Sequence, residues 1–178
     1  MIYPPQPSQI STRSRQFREI ENDPSWVAEP CVRGMRCLAY HHHGQLDLLT
    51  QEWKQITALF PKLRKQIFAT IPDGTIVDGV LCGAGKQYDH YFAFDIPQFK
   101  NKQTGPLHER IALLRLLLKK QSLIIVPAYY PNQNKLVTFY GTQNLPEYNG
   151  IILKDLSSMY PVVTKWKSIT SSWLKVTT

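Results

Sequence analysis

The chain has 178 residues, enough for one domain with a sizeable core, and its 43% hydrophobic and 11% aromatic content excludes a disordered polymer. Lysine and arginine outnumber aspartate and glutamate by 21 to 13, and the resulting charge of +8 favours polyanionic partners, nucleic acid first among them. Three cysteines (Cys31, Cys37 and Cys82) in no metal-ligand spacing speak for a reducing intracellular compartment, and no apolar run approaches the roughly 20 residues that span a bilayer.

Residues 1–24 are rich in Pro, Ser and Gln, show little periodicity, and read as an extended arm. Arg13, Arg15 and Arg18 have no apolar stretch beside them, which excludes a secretory signal, and Glu19, Glu21 and Asp23 weaken an organelle-targeting reading. Residues 25–178 read as one compact domain. Its first predicted feature is a hairpin of Arg36–Tyr40 and Leu46–Leu49, turning at His43-Gly44. Thr50 caps a predicted helix over Gln51–Gln66, with Trp53, Ile56, Phe60, Leu63 and Ile67 as its buried face. Asp73-Gly74 turns into a strand over Thr75–Cys82, Gly83-Ala84-Gly85-Lys86 makes the next turn, and Tyr91–Ile96 is the partner strand. Pro106 opens a helix to Lys120 with Ile111, Leu114, Leu117 and Leu118 as its stripe. A strand over Leu123–Tyr129, a short helix over Lys135–Gly141 and strands over Gly150–Asp155 and Ser172–Val176 complete the chain. Strands and helices mix without strict alternation, so the class is α+β with largely antiparallel sheets.

Five short motifs carry the chemistry. Glu29-Pro30-Cys31-Val32-Arg33-Gly34-Met35-Arg36 comes first, then Asp78-Gly79-Val80, then Tyr91-Phe92-Ala93-Phe94-Asp95-Ile96. Asn149-Gly150-Ile151-Ile152-Leu153-Lys154 follows, continued by Asp155–Tyr160, and Ser172-Trp173-Leu174-Lys175 closes the series. In this order they resemble the E-P-K-x-D-G-x-R, D-G-E, aromatic F-D, E-G-[IV]-[VI]-x-K and W-x-K motifs of ATP-dependent DNA ligases, over about residues 24–178. No single motif suffices; their order and spacing carry the resemblance. It implies the nucleotidyltransferase fold of an ATP-grasp-like DNA ligase adenylation domain: α+β, two antiparallel sheets with flanking helices. It also implies that Arg36, Lys154 and Lys175 stand where the family touches ribose or phosphates, and Phe94 where an aromatic ring stacks on the purine.

The departures are as informative as the matches. The family's lysine attacks the α-phosphate of ATP, and Cys31 stands in its place. A thiol at a phosphorus centre does not reproduce that intermediate, and a small buried Cys is commonly structural. Arg33 replaces the motif aspartate, Val80 the metal-associated glutamate, and Asn149 the later glutamate. Magnesium needs hard oxygen ligands, usually carboxylates. The family's four residues carry a formal −2 and these four +1, a change that disfavours a divalent cation and favours a bare phosphate. No cofactor is therefore expected: Mg²⁺ is not, and any retained ATP binding is weak.

Other basic residues (Lys62, Arg64, Lys65, Lys100, Lys102, Lys165 and Lys167, with the three arginines near the start) would track phosphates if they gather on one face. Trp166, Tyr129, Tyr130 and Tyr160 are candidate stacking rings. Two signals are decoys. His41-His42-His43 in a strand alternates between faces and closes no metal site, and Gly83–Lys86 lacks the spacing and the hydroxyl of a P-loop. The family's closing oligonucleotide-binding domain follows the W-x-K strand, and none is expected here. The sequence thus reads as a non-catalytic ligase-like domain, a nucleic-acid-binding or structural subunit partnered by nucleic acid, by protein, or by both, and not by membrane. Two alternatives stand beside it: an active nucleotidyltransferase with a displaced lysine or a partner-completed site, and a purely protein-binding scaffold.

Overall fold

A computed structural model of the chain describes residues 4–83, 90–118, 121–130, 134–143, 145–161 and 168–177. In chain order the elements are β1 (Gln6–Ile10), α1 (Arg15–Ile20), β2 (Trp26–Val32), β3 (Met35–His42), β4 (Gln45–Thr50), α2 (Pro61–Thr70), β5 (Thr75–Cys82) and β6 (His90–Phe99). They continue with β7 (Lys102–Gln103), α3 (Leu107–Leu117), β8 (Ile124–Ile125), α4 (Lys135–Gln143), β9 (Tyr148–Asp155) and β10 (Ile169–Val176). The chain forms two compact units, one of residues 1–33 with 127–178 and one of residues 34–126. Each is an α+β unit built on one sheet, as the sequence implied.

The first unit holds a four-stranded sheet in the order β1-β10-β9-β2. The two inner pairings are antiparallel, and β1 joins β10 in parallel, an exception to the antiparallel expectation. Ala28, Ile151, Leu153, Leu174 and Val176 occupy one face and share a core with Phe17 and Ile20 of α1 and Phe139 of α4. Residues 6–20, expected as part of an extended arm, are therefore a strand and a helix. The Ser14 hydroxyl accepts the Phe17 N–H at 3.1 Å and caps α1. Six residues make too short a helix to persist alone, so burial of Phe17 must hold it. Polar β1 shows no alternation and contains Pro7, which an edge strand tolerates because one row of its N–H groups faces no neighbour. The ammonium of buried Lys135, at the start of α4, donates to Asp23 O at 2.8 Å and pins the segment after α1.

The second unit is a six-stranded sheet, β4-β3-β5-β6-β7 with β8 parallel to β6. Ile56, Leu63, Ile67, Leu114 and Leu118 pack in one cluster with Cys37, Ala39, Leu46, Leu48, Val77, Leu81 and Tyr91. Each such side chain contributes about 1.5–3 kcal/mol on burial. The Tyr91 hydroxyl lies 2.9 Å from Cys37 O and 3.0 Å from Val77 O, sewing three strands together. Arg110 and Asp95 form a fully buried pair at 2.7 Å that anchors α3 to β6.

The hairpin at His43-Gly44 and the strands β5 and β6 fall where the pattern put them. The helix expected over 51–66 does not. Thr50 instead accepts N–H bonds from Glu52 and Lys54 in a turn, a 3₁₀ turn follows at Thr57–Leu59, and α2 starts at Pro61. Proline has no N–H to continue a helix and disfavours helical backbone at Phe60, so it can only begin one. The strand expected over 123–129 shrinks to the two residues of β8, cut short by Pro127. The turn expected at Gly83–Lys86 lies, beyond Gly83, outside the described residues.

Candidate functional site

The motif residues fall into two groups, one on each unit. On the first unit, strand register places Lys175, Ile152 and Glu29 in one row, and Trp173, Lys154 and Val27 in the next. Residues opposite each other on antiparallel strands share a face. Glu29, Lys154, Trp173 and Lys175 thus lie on the side turned away from the core of Phe17 and Phe139, and Cys31, two residues past Glu29, joins them.

On that face Lys154 is closed in. Its ammonium is 2.7 Å from Glu29 Oε1, with side chains only 1% and 4% exposed. It also lies 4.4 Å from the centroid of Trp173, whose ring is held edge-on by Tyr160 at 5.6 Å. Lys175 lies near enough to the Cys31 thiol for its charge to favour the thiolate. Burial pushes that thiol above its ordinary value; Lys175 and Arg33 oppose the shift, and Glu29 adds to it. The result is a neutral thiol at neutral pH, a poor nucleophile and no substitute for an amine. Arg33 is exposed, with its backbone N–H on Glu147 O at 2.8 Å and its Nε on Tyr148 O at 2.9 Å. Asn149 precedes Gly150, which has φ +81°, and any Cβ on Gly150 would strike the Val176 carbonyl.

On the second unit, Arg36 grips Asp78 with two bonds, Nε–Oδ1 at 3.1 Å and Nη2–Oδ2 at 2.6 Å. Asp78 is fully buried. The guanidinium sits 5.4 Å from the Phe94 centroid, so these two residues are neighbours. Val80 lies directly across from Arg36 in the sheet and presents only methyl groups there.

Magnesium does not fit this donor set. Val80 and Asn149 bring no carboxylate, and Glu29, Asp78 and Asp95 of the motifs are each bound to a cation. Among the described residues no three His, Cys, Asp or Glu side chains gather to hold a metal. The arrangement suits anion contact through Lys175 and Arg33 rather than metal-assisted chemistry. Glu29, Asp78 and Trp173 are the residues that motif reading passed over as partners. The period of two on β2, which sets Glu29 beside Cys31, was the available signal for the first of them.

The dispersed basic residues gather only in part. Arg15 is paired with Glu19 at 2.7 Å, Lys62, Arg64 and Lys65 stand together on α2, and Lys165, Trp166 and Lys167 lie outside the described residues. Tyr160 and Tyr129 are buried and offer no stacking surface. In the histidine run, His41 bonds Ile71 O at 2.7 Å while His42 bonds Asp47 at 2.9 Å, two different neighbours on alternate faces. Among the described residues no helix is long and apolar enough to cross a membrane.

No family model matches the chain. Over 90% of its length it is 25% identical to the SPbeta prophage-derived DNA ligase-like protein LigB of Bacillus subtilis (strain 168), of which it spans 64%. Its fold matches mycobacterial DNA ligase D complexed with ATP and MES at a TM-score of 0.74 and 20% identity, covering 99% of this chain and 60% of that one. The ligase domain of M. tuberculosis LigD matches at 0.66 and 20% identity, over 95% of this chain and 59% of that one. The chain therefore spans less than two thirds of each.

Proposed function

We propose that this chain, a ligase-like protein with the nucleotidyltransferase-domain fold of ATP-dependent DNA ligases, serves without catalysis as a nucleic-acid-binding or structural subunit of a larger assembly. The observation that carries this reading is the state of the attachment motif. Its nucleophile position holds a half-buried neutral thiol, Cys31, and Lys154 on the same sheet face is locked to Glu29. A buried ammonium paired at 2.7 Å must give up its carboxylate before it can meet a phosphate. The test incubates purified chain with α-labelled ATP and Mg²⁺ and looks for a covalent adduct. None is expected; an adduct that vanishes on Cys31→Ala overturns the reading.

One observation favours a rival. Lys175 places a positive charge near Cys31, on the same sheet face as the position of the vacated nucleophile. A working nucleotidyltransferase with a displaced lysine would form an adduct that survives Cys31→Ala and disappears on Lys175→Ala. Against it, the donor set that fails to fit Mg²⁺ leaves the leaving pyrophosphate without its usual counter-charge. Nick sealing, alone or with added partner proteins, would decide for the rival.

A further inference from the structure

The second unit carries a groove of about 590 Å³ between α2 and the segment 121–123. It lies against the helix side of the sheet, whereas Arg36 and Phe94 come from the face that alternation turns the other way. We propose that this groove binds the phosphodiester backbone of nucleic acid, an inference that rests on the nucleic-acid-binding reading above and gives it a location.

Charge is the first reason. The sequence of α2 contains three cations, Lys62, Arg64 and Lys65, and no acid. All three are exposed, and no carboxylate pairs with any of them among the described residues. Lys62 and Lys65, one turn apart, line the groove, and no carboxylate does. The helix divides cleanly. Leu63 and Ile67 enter the core, while Lys62, Lys65 and Ala69 form the outward stripe.

Shape is the second reason. The Gln66 amide donates to Ser122 Oγ at 2.7 Å and accepts the Leu123 N–H at 3.1 Å. Leu123 in turn accepts the Tyr91 N–H at 2.8 Å, which ties the far wall into β6. The groove is thus clasped at the helix and at the sheet, so its two lysines project beside a wall already in place. Ala69 leaves the floor open, and Thr70, Gln121 and Ser122 add neutral polar groups. Among the described residues no aromatic ring lines the groove, so the contact they offer reads backbone without sequence. Its volume suits a nucleotide-sized stretch of one strand rather than a whole duplex.

The test is fluorescence anisotropy of a labelled mixed-sequence single-stranded DNA over a salt series, with the full chain, its Lys62→Gln/Lys65→Gln variant, and Lys102→Gln as a charge control. Thermal melting followed by circular dichroism checks that all three are folded. The expected result is binding by wild type with a steep salt slope that falls by about 1.4 in the double variant, two phosphate contacts on a single strand. The control should lose at most half as much. If wild type binds and the double variant matches it in affinity and slope, the groove is wrong and the broader reading survives. If wild type binds no nucleic acid even at low salt, the broader reading falls and takes the groove with it. Competition for the lysines by poly-glutamate but not by the oligonucleotide would mark a site for acidic protein and also overturn the proposal.

Discussion

Methionine at position 29 would strip Lys154 of a carboxylate that lies 2.7 Å from its ammonium in a site only 1% exposed. Removing one partner of a buried pair costs roughly 3–5 kcal/mol, because the remaining charge keeps its desolvation penalty and loses its compensation. For a chain of this size about 2–4 °C of Tm follows each kcal/mol, so Glu29→Met should lower Tm by roughly 6–20 °C. Lys154→Met should cost a similar amount by stranding Glu29. The double variant removes both charges, and two flexible thioethers can fill the space against Trp173, so most of the loss should return. Urea titration followed by circular dichroism gives the four corners of the cycle. Should either single variant cost less than about 1 kcal/mol, or the double variant equal the sum of the two, the pair is not coupled as argued. Lys154 would then be available to a phosphate, and the main support for a disabled pocket would be lost.

Cys31→Lys alone should form no adduct with labelled ATP and Mg²⁺, since Val80 and Asn149 still offer no metal ligand; an adduct seen on a gel would show that the pocket is more intact than the donor set implies. Burial pushes the Cys37 thiol from 9.0 up to about 12, so above pH 9 the folded chain keeps a proton that the unfolded chain has lost. Its contribution is fully present well below pH 9 and should be lost at up to roughly 1.4 kcal/mol per unit as pH rises from about 9 toward about 12, with Cys31 acting in the same sense; Cys37→Ala should reduce this slope in urea titrations. Phe17→Ala should cost roughly 3–5 kcal/mol, as for a core aromatic; a change within about 0.5 kcal/mol would mean that α1 is dispensable decoration. Gly150→Ala should destabilise by roughly 1–3 kcal/mol through positive φ and the clash with Val176, read as a lower Tm.

The parts of the fold that could be read in advance were those where one physical signal acted alone. Strands β3, β5, β6, β9 and β10 alternate, or border a Gly turn; the expected bounds match β5 to the residue and fall two to four residues short of the others. Helix α2 was misplaced because Ile56, Leu63 and Ile67 keep helical spacing through a turn and a proline that break the helix before it starts. Their common burial comes from tertiary packing around two separate local structures. Strand β1 was invisible because an edge strand of Gln, Pro and Ser carries no alternation, and only its parallel pairing with β10 defines it.

The candidate site shows the same division. Motif order identified which residues matter, and strand period grouped Glu29 with Cys31, but no local rule joins Glu29 to Lys154 or Arg36 to Asp78, which are far apart in the chain. Counting charge at the four altered positions treats every ion as free to act outward. Paired ions do not act that way: opposite charges held in contact nearly cancel a few ångströms off, and both pairs here are buried or nearly so. Glu29 and Asp78 therefore neutralise two of the three cations, Lys154 and Arg36 but not Lys175, at positions where the ligase resemblance implies phosphate contact. What basicity remains outward on the motif faces is Arg33 and Lys175, and on the second unit it is the acid-free helix α2. If the chain holds nucleic acid, most of the salt-sensitive affinity should therefore come from α2 rather than from the motif residues. Neutralising Lys62 and Lys65 should accordingly change the salt slope more than neutralising Lys154 and Arg36, and the opposite ranking would make the motif residues the binding surface.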